Sequence, residues 1–66
     1  MKESFVILVK YQDKEYGEVE ETIERVKVRI EDWMEQDANL DELGIIHIDN
    51  HNVFRYTGRE FIQIFK

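Results

Sequence analysis

The chain has 66 residues, without cysteine or proline and with three glycines. A domain of this size buries only about 60% of the surface of its unfolded chain, which excludes a second domain and a deep enclosed pocket. The lack of cysteine excludes a disulfide framework and a thiolate metal site. A hydrophobic content of 42%, with eight aromatic residues, separates the chain from disordered proteins.

The net charge of −6 is concentrated in the middle third of the sequence. Between residues 18 and 42, ten acidic residues accompany three basic ones, a local net charge of −7, and the rest of the chain is close to neutral. Direct binding of nucleic acid needs Lys and Arg opposite the phosphates. The asymmetry therefore argues against a nucleic-acid ligand and favours an acidic surface that faces a protein partner.

A continuous run of β-branched and aromatic residues over 5–9 predicts a strand that is buried on both faces and continues towards Tyr11. The polar stretch 12–15 ends this strand, and a short return strand around Tyr16 stays open because the alternation there is weak. The apolar run over 5–9 has only five residues, which is too few for a signal-peptide core or a membrane span. We therefore expect a soluble, cytoplasmic protein that makes no membrane contact.

From Val19 onwards, the apolar residues recur at helical spacing. They form one side of a helical wheel, and they are Val19, Ile23, Val26, Ile30, Trp33 and Met34. This pattern predicts one long amphipathic helix over 18–36. A strand over 26–30, where polar and apolar residues alternate cleanly, is the competing interpretation.

A single helical turn is expected over 39–44, after the helix. Asn39 would be its N-cap, Glu42 the capping-box partner and Gly44 the C′ residue. Such a turn would reverse the direction of the chain.

The last third of the chain is rich in Ile, Val, Phe and Tyr and predicts strands over 45–49, 53–57 and 60–65. Two-residue turns, Asn50-His51 and Thr57-Gly58, would join them as hairpins. The cross-strand pairs would then be Ile48 with Val53, Phe54 with Phe61, and Arg55 with Glu60.

Together these elements predict a single α+β domain with a small antiparallel-rich β-sheet and one long amphipathic helix packed on one face. The expected order is β-α-β-β, or β-β-α-β-β if residues 15–20 form a strand.

One helix covers only one face of a sheet. The predicted register puts on one face Ile45, His47, Phe54, Tyr56, Phe61 and Phe65, and on the other Ile46, Ile48, Val53, Ile62 and Ile64. Either the register or the curvature of the sheet hides the aromatic residues, or their face meets a partner, and a homodimer through the sheet is one such arrangement.

The charges of the predicted helix form one stripe opposite its apolar side. This stripe contains Glu20, Glu21, Glu24, Glu31, Asp32 and Glu35, with the apolar Val28 inside it. Like charges four residues apart destabilise a helix by about 0.2–0.5 kcal/mol per pair, so a nearly single-signed stripe calls for an explanation. A solvated outer face is the simpler explanation, and a binding surface is the other. The candidate partner-binding residues are Glu18, Glu20, Glu21, Glu24, Val28, Glu31, Asp32, Glu35, Asp37, Asp41 and Glu42.

In size, charge and coarse architecture, a small cysteine-free acidic chain with this stripe resembles the phage-encoded host-takeover proteins. More narrowly, it is similar to the DNA-mimic inhibitors of the nucleoid protein HU, which block the DNA-binding surface of their target. The small acidic phage inhibitors of host RNA polymerase are a second comparable group. The resemblance implies a non-enzymatic inhibitor that binds a basic DNA-binding protein, HU first and RNA polymerase next. The alternative is a structural or assembly module that uses the aromatic sheet face.

Other chemistry is poorly supported by the sequence. His47-x-Asp49-x-His51 is a spacing that could suit a divalent metal, but His51 falls in a predicted turn and no fourth ligand is indicated. No glycine-rich phosphate loop is present, and the exposed carboxylates of a helix lack the burial that tunes a general acid. We therefore predict no enzymatic activity, no metal and no cofactor.

Overall fold

The structure is a computed structural model that describes residues 3–65. In chain order, the elements are β1 (Ser4–Tyr11), β2 (Lys14–Glu20), α1 (Ile23–Glu35), a 3-10 turn (Leu40–Glu42), β3 (Gly44–Asp49), β4 (Asn52–Thr57) and α2 (Gly58–Ile64). The strands form one antiparallel sheet in the order β2-β1-β3-β4. The α+β class and the antiparallel sheet are confirmed, whereas the observed element order, with a second helix at the end, differs from both predicted orders.

The central strand β1 is covered on one face only. Phe5, Ile7 and Val9 are at most 3% exposed and pack with buried residues of both helices, whereas Leu8 is 47% exposed on the opposite face. The prediction that both faces of this strand are buried is therefore wrong. Both helices lie on one side of the sheet, and residues 3–65 provide no second layer for the other side.

The predicted helix over 18–36 is wrong at its beginning. Residues 14–20 form the edge strand β2, in which Val19 pairs with Val6 of β1 instead of lying on the helix. Thr22 is the N-cap of α1, because its Oγ1 accepts a hydrogen bond from the Arg25 N–H at 3.2 Å. Threonine is a favoured N-cap, so a start at this point agrees with the local sequence.

The helix α1 has 13 residues and ends at Glu35 in a Schellman motif. The Ala38 N–H donates to the Trp33 carbonyl and the Asp37 N–H to the Met34 carbonyl, both at 3.0 Å. Asp37 occupies the left-handed C′ position with a φ of 62°. The competing strand over 26–30 does not form, since these residues lie inside α1.

The 3-10 turn is only partly as predicted. Asn39 is its N-cap and accepts a hydrogen bond from the Asp41 N–H at 2.9 Å. The predicted capping box with Glu42 does not form, because the Asn39 side chain accepts from the Asp41 N–H instead. Gly44 follows the C-cap Leu43 and so lies at C′ as predicted, but its φ is not positive and it begins β3.

The predicted strands over 45–49 and 53–57 are confirmed as β3 and β4, and so is the pairing of Ile48 with Val53. The predicted strand over 60–65 is wrong: most of this segment belongs to the helix α2. The expected pairs of Phe54 with Phe61 and of Arg55 with Glu60 therefore do not form.

A capping box explains why α2 is a helix. The Thr57 Oγ1 accepts from the Glu60 N–H at 3.1 Å, and the Glu60 carboxylate accepts from the Thr57 N–H at 2.9 Å. This Thr-x-x-Glu pattern is present in the sequence, where the pair Thr57-Gly58 was interpreted as a hairpin turn. A Cβ at Gly58 would lie 3.0 Å from Leu43 atoms, so close packing explains this glycine.

The aromatic side of the sheet is the side that the helices cover. Phe61 of α2 makes edge-on contacts with Phe5 and Tyr56, with ring centroids 6.1 and 5.9 Å apart, and Phe65 lies 4.6 Å from Phe61. His47 stacks on Phe5 at 4.4 Å. Of the two alternatives for the aromatic face, cover by the chain itself is therefore the one observed for most of its residues, because the C-terminal segment packs on it as α2. Phe54 of the edge strand β4 stays 45% exposed.

Candidate functional site

The outer side of α1 carries a row of exposed carboxylates. Val26 and Ile30 are fully buried and fix the inner side of the helix. The opposite side, which we call the acidic face, consists of Glu24, Val28, Glu31, Asp32 and Glu35, and all five residues are exposed. Their spacing of four, three, one and three residues keeps them on one side of a regular helix.

Val28 lies in the middle of the acidic face with 42% of its surface exposed. The sequence predicted an exposed apolar residue at this point, and the structure confirms its exposure. Single exposed apolar residues are common on protein surfaces, so the exposure of Val28 does not by itself identify a binding surface.

Two of the acids predicted to bind a partner, one of them predicted for the stripe, lie elsewhere. Glu18 and Glu20, which we call the inner acids, belong to β2 and face α1, with side chains 23% and 12% exposed. The Arg29 guanidinium donates to both, to Glu18 at 2.7 Å and to Glu20 at 2.6 Å. Trp33 Nε1 also donates to Glu18, at 2.9 Å. The inner acids thus bind α1 to the edge strand.

The pKa values agree with this structural role. The hydrogen bond from Arg29 is the main cause that holds the pKa of Glu20 below its ordinary value, and the charge of Arg25, whose Nε lies 3.6 Å from Glu20, contributes in the same direction. The carboxylates of Glu20 and Glu18 in turn raise the pKa of Arg29. Because these charges compensate one another, the inner acids contribute little to a surface for a basic partner.

The remaining candidates occupy different positions. Glu21 is exposed between β2 and α1, and Asp37 is exposed directly after α1. Asp41 accepts from the Arg59 Nε of α2 at 2.9 Å, and Glu42 is exposed in the 3-10 turn. Asp41 and Glu42 therefore do not extend the row of helical carboxylates; they belong to the 3-10 turn.

Within residues 3–65, none of the four carboxylates of the acidic face has a cationic group within 4.0 Å. The arginines of α1 lie on its β2 side, since Arg29 binds the inner acids and Arg25 lies beside Glu20. The helical periodicity of the sequence does not reveal this pairing of Arg25 and Arg29 with residues of β2. The signal that could have revealed it is the alternation of Tyr16, Glu18 and Glu20 on one side of a strand.

An open groove between α1 and α2 borders the acidic face. It has a volume of about 370 Å³ and is lined by Lys27, Glu31, Met34, Ile62 and Phe65. Met34 is 45% exposed in it. Carboxylates and an apolar groove thus lie side by side, a combination that suits a protein surface with both basic and apolar residues.

Other kinds of site find no support in the part of the chain that the structure describes. Over residues 3–65, no three His, Asp or Glu side chains converge in a group that could hold a metal. The nearest acid to the His47 Nε2 is Glu3, at 3.7 Å, and His51 lies in the β3–β4 turn. Neither α1 nor α2 is long and apolar enough to cross a membrane.

Comparison of the chain with family models, with curated proteins and with solved structures found no match.

Proposed function

We propose that this protein is a non-enzymatic modulator that binds a basic, DNA-binding protein through the acidic face of α1. The observation that carries the proposal is the contrast between two groups of carboxylates. The inner acids share the cation Arg29, whereas over residues 3–65 none of the exposed acids of α1 has a cationic group within 4.0 Å. Lys and Arg side chains of a partner would provide the missing positive charges.

The spacing of the carboxylates supports an extended contact. A rise of about 1.5 Å per residue separates Glu24 from Glu35 by roughly 16 Å along the helix, with Glu31 and Asp32 between them. Duplex DNA carries about one charge per 1.7 Å of axis, so the helix offers roughly half the charge of DNA over this length. The acidic face therefore resembles DNA in sign and linear arrangement but at lower density.

Apolar contacts would complement the charges. Val28 lies within the acidic face, and the groove beside it exposes Met34. A protein whose DNA-binding surface has apolar residues among its Lys and Arg residues would fill both features. The resemblance to small phage inhibitors makes an HU-type nucleoid protein the first target and RNA polymerase the second.

Binding of a purified HU-type protein, measured by calorimetry at low and at moderate salt, tests this function. We expect a complex that duplex DNA displaces and whose affinity falls at least about tenfold between 50 and 200 mM salt, since several ion pairs form. The variant Glu24→Gln, Glu31→Gln, Glu35→Gln should lose binding and keep its fold.

A matched control removes the same number of charges elsewhere. The control substitutions lie outside the acidic face and change the net charge by the same amount. They are Asp13→Asn, Glu15→Gln and Glu42→Gln. This control should bind like the unaltered chain. Equal losses in both triple variants would show that total charge, not the acidic face, drives binding, and failure to bind HU and RNA polymerase would refute the proposed targets.

A further inference from the structure

The face of the sheet opposite the helices has no cover within residues 3–65. Its apolar side chains come from all four strands and are Val6, Leu8, Val19, Ile46, Ile48 and Val53. Four of them are more than a third exposed: Leu8 at 47%, Val19 at 67%, Ile48 at 37% and Val53 at 60%. We call this surface the bare sheet face. An apolar patch that includes every strand of a sheet is typical of an interface.

Two glycines make the centre of the bare sheet face uneven. Gly17 of β2 and Gly44 of β3 pair with Leu8 from either side, so one large side chain stands between two positions without a side chain. Neither glycine has a positive φ. A Cβ built on either one would find only Leu8 within 4 Å, at an ordinary contact distance of 3.9 Å or more.

These two glycines therefore differ from Gly58, where a Cβ would come within 3.0 Å of Leu43. Packing inside the chain explains Gly58 but not Gly17 or Gly44, and the backbone conformation requires glycine at none of the three positions. Glycine in a strand often marks a place where another chain approaches closely. An open hollow of about 250 Å³ lies beside Leu8, with Gly44 and Lys10 in its lining.

The charge of the bare sheet face contrasts with that of the whole chain. Its strands contribute the cations Lys10 and Arg55 and the acid Glu15, and Glu42 lines the hollow at its border, so the surface is close to neutral. The chain as a whole carries −6. Two copies that met through this face would keep their acidic faces on opposite outer sides and so avoid most of their mutual repulsion.

The area of the bare sheet face is sufficient for a dimer if it is covered completely. Four strands about 4.8 Å apart, each about 20 Å long, present roughly 400 Å² in projection. Because protruding side chains make the surface uneven, its accessible area is larger than this projection. Contact between two such faces removes about 1,000 Å² of accessible surface from solvent in total, which is the lower limit for a specific interface. A second sheet covers this flat area fully, as in a sandwich of two packed sheets, whereas a single strand or helix covers only part of it.

We propose that the bare sheet face binds a second copy of this chain, with Leu8 of each protomer seated in the space above Gly44 of the other. Reciprocal contacts of this kind are what a two-fold symmetric interface requires. The dimer is independent of the proposed function, and it would present two acidic faces pointing away from each other.

Sedimentation equilibrium of the full chain, from about 1 to 500 µM, tests the dimer. We expect a monomer–dimer equilibrium, and a thermal midpoint that rises with protein concentration because dissociation accompanies unfolding. Leu8→Lys should raise the dimer dissociation constant at least a hundredfold, since it places a charge in the apolar centre. Met34→Lys is the matched control: it adds the same charge at a residue of similar exposure, 45% against 47%, on the helical side, and should leave the dimer unchanged.

Gly44→Val keeps the test decisive if Leu8→Lys does not fold. Valine suits a strand, and a Cβ at this position meets only Leu8, at an ordinary contact distance of 3.9 Å, so circular dichroism should show an intact fold while the dimer is lost. A chain that stays monomeric up to 500 µM overturns the proposal, including the case in which another protein covers the face. A dimer that survives both Leu8→Lys and Gly44→Val also overturns it, because the interface would then lie elsewhere.

Discussion

The two groups of carboxylates on either side of α1 have opposite roles although they consist of the same residue types. The inner acids lie on β2 and share hydrogen bonds with Arg29 and Trp33. The acids of the acidic face are exposed, and over residues 3–65 none of them forms an ion pair with a cationic group within 4.0 Å. Local sequence does not distinguish the two groups; the neighbours across the helix–strand contact do.

The largest expected effect comes from removing the cation between α1 and β2. Arg29→Met removes the cation that Glu18 and Glu20 share and leaves them only the Trp33 N–H and the more distant Arg25. The free energy of unfolding should therefore fall several times more than for any single acid-to-amide change on the acidic face. Urea denaturation followed by circular dichroism measures the loss. Adding Glu18→Gln and Glu20→Gln to Arg29→Met should recover part of it. A stability equal to that of the unaltered chain would show that the inner acids do not hold α1 in place.

The next effect is a dependence of stability on pH. The pKa of Glu20 is lower in the folded chain than its ordinary value of 4.5. Its stabilising contribution is therefore complete well above that value and is lost as the pH falls through the lowered pKa of the folded state. Urea midpoints between pH 7 and pH 3 should fall less steeply for Glu20→Gln than for the unaltered chain. Identical pH profiles would contradict the pairing with Arg29.

A smaller effect is expected at the tryptophan. Trp33→Phe removes the N–H that donates to Glu18 but retains an aromatic ring beside Tyr11 and Tyr16. We expect a loss of about 1 kcal/mol in the free energy of unfolding, typical of one hydrogen bond to a partly exposed carboxylate. In a chain that already carries Glu18→Gln, Trp33→Phe should lower the free energy of unfolding by less than it does in the unaltered chain. Strictly additive losses for the two substitutions would argue against the hydrogen bond.

The smallest expected effect is a gain in stability. Glu31→Gln removes the repulsion between carboxylates four residues apart, Glu31 and Glu35, and should stabilise α1 by about 0.2–0.5 kcal/mol at low salt. The gain should vanish in about 1 M salt, where the screening length falls to about 3 Å. Loss of stability at low salt would show that Glu31 has a structural partner, which would weaken the contrast with the inner acids.

Local signals predicted several elements correctly. Short-range alternation and turn chemistry account for the strands β3 and β4, for the turn at Asn50-His51 and for the pairing of Ile48 with Val53. The exposure of Val28 follows from helical periodicity alone. These features depend on neighbours close in sequence, which is why periodicity and residue type suffice for them.

The errors occur where two local interpretations compete. Val19 fits the helical spacing of α1 and also the outward side of β2, and only pairing with Val6 selects the strand. The segment after Thr57 has strand-like composition, but the capping box and the burial of Phe61 against the sheet select a helix. In both segments a contact distant in sequence outweighs the intrinsic preference.

By itself, the sequence determined the α+β class, the strands of the C-terminal hairpin and the concentration of negative charge in the middle third of the chain. Only the tertiary structure decided which of those charges are available to a partner and which sheet face is covered. The physical reason is that compensation of a charge and burial of an apolar side chain both depend on the atoms that surround it. For Glu18 and Glu20 those atoms belong to Arg29, which the folding of β2 against α1 brings within hydrogen-bonding distance.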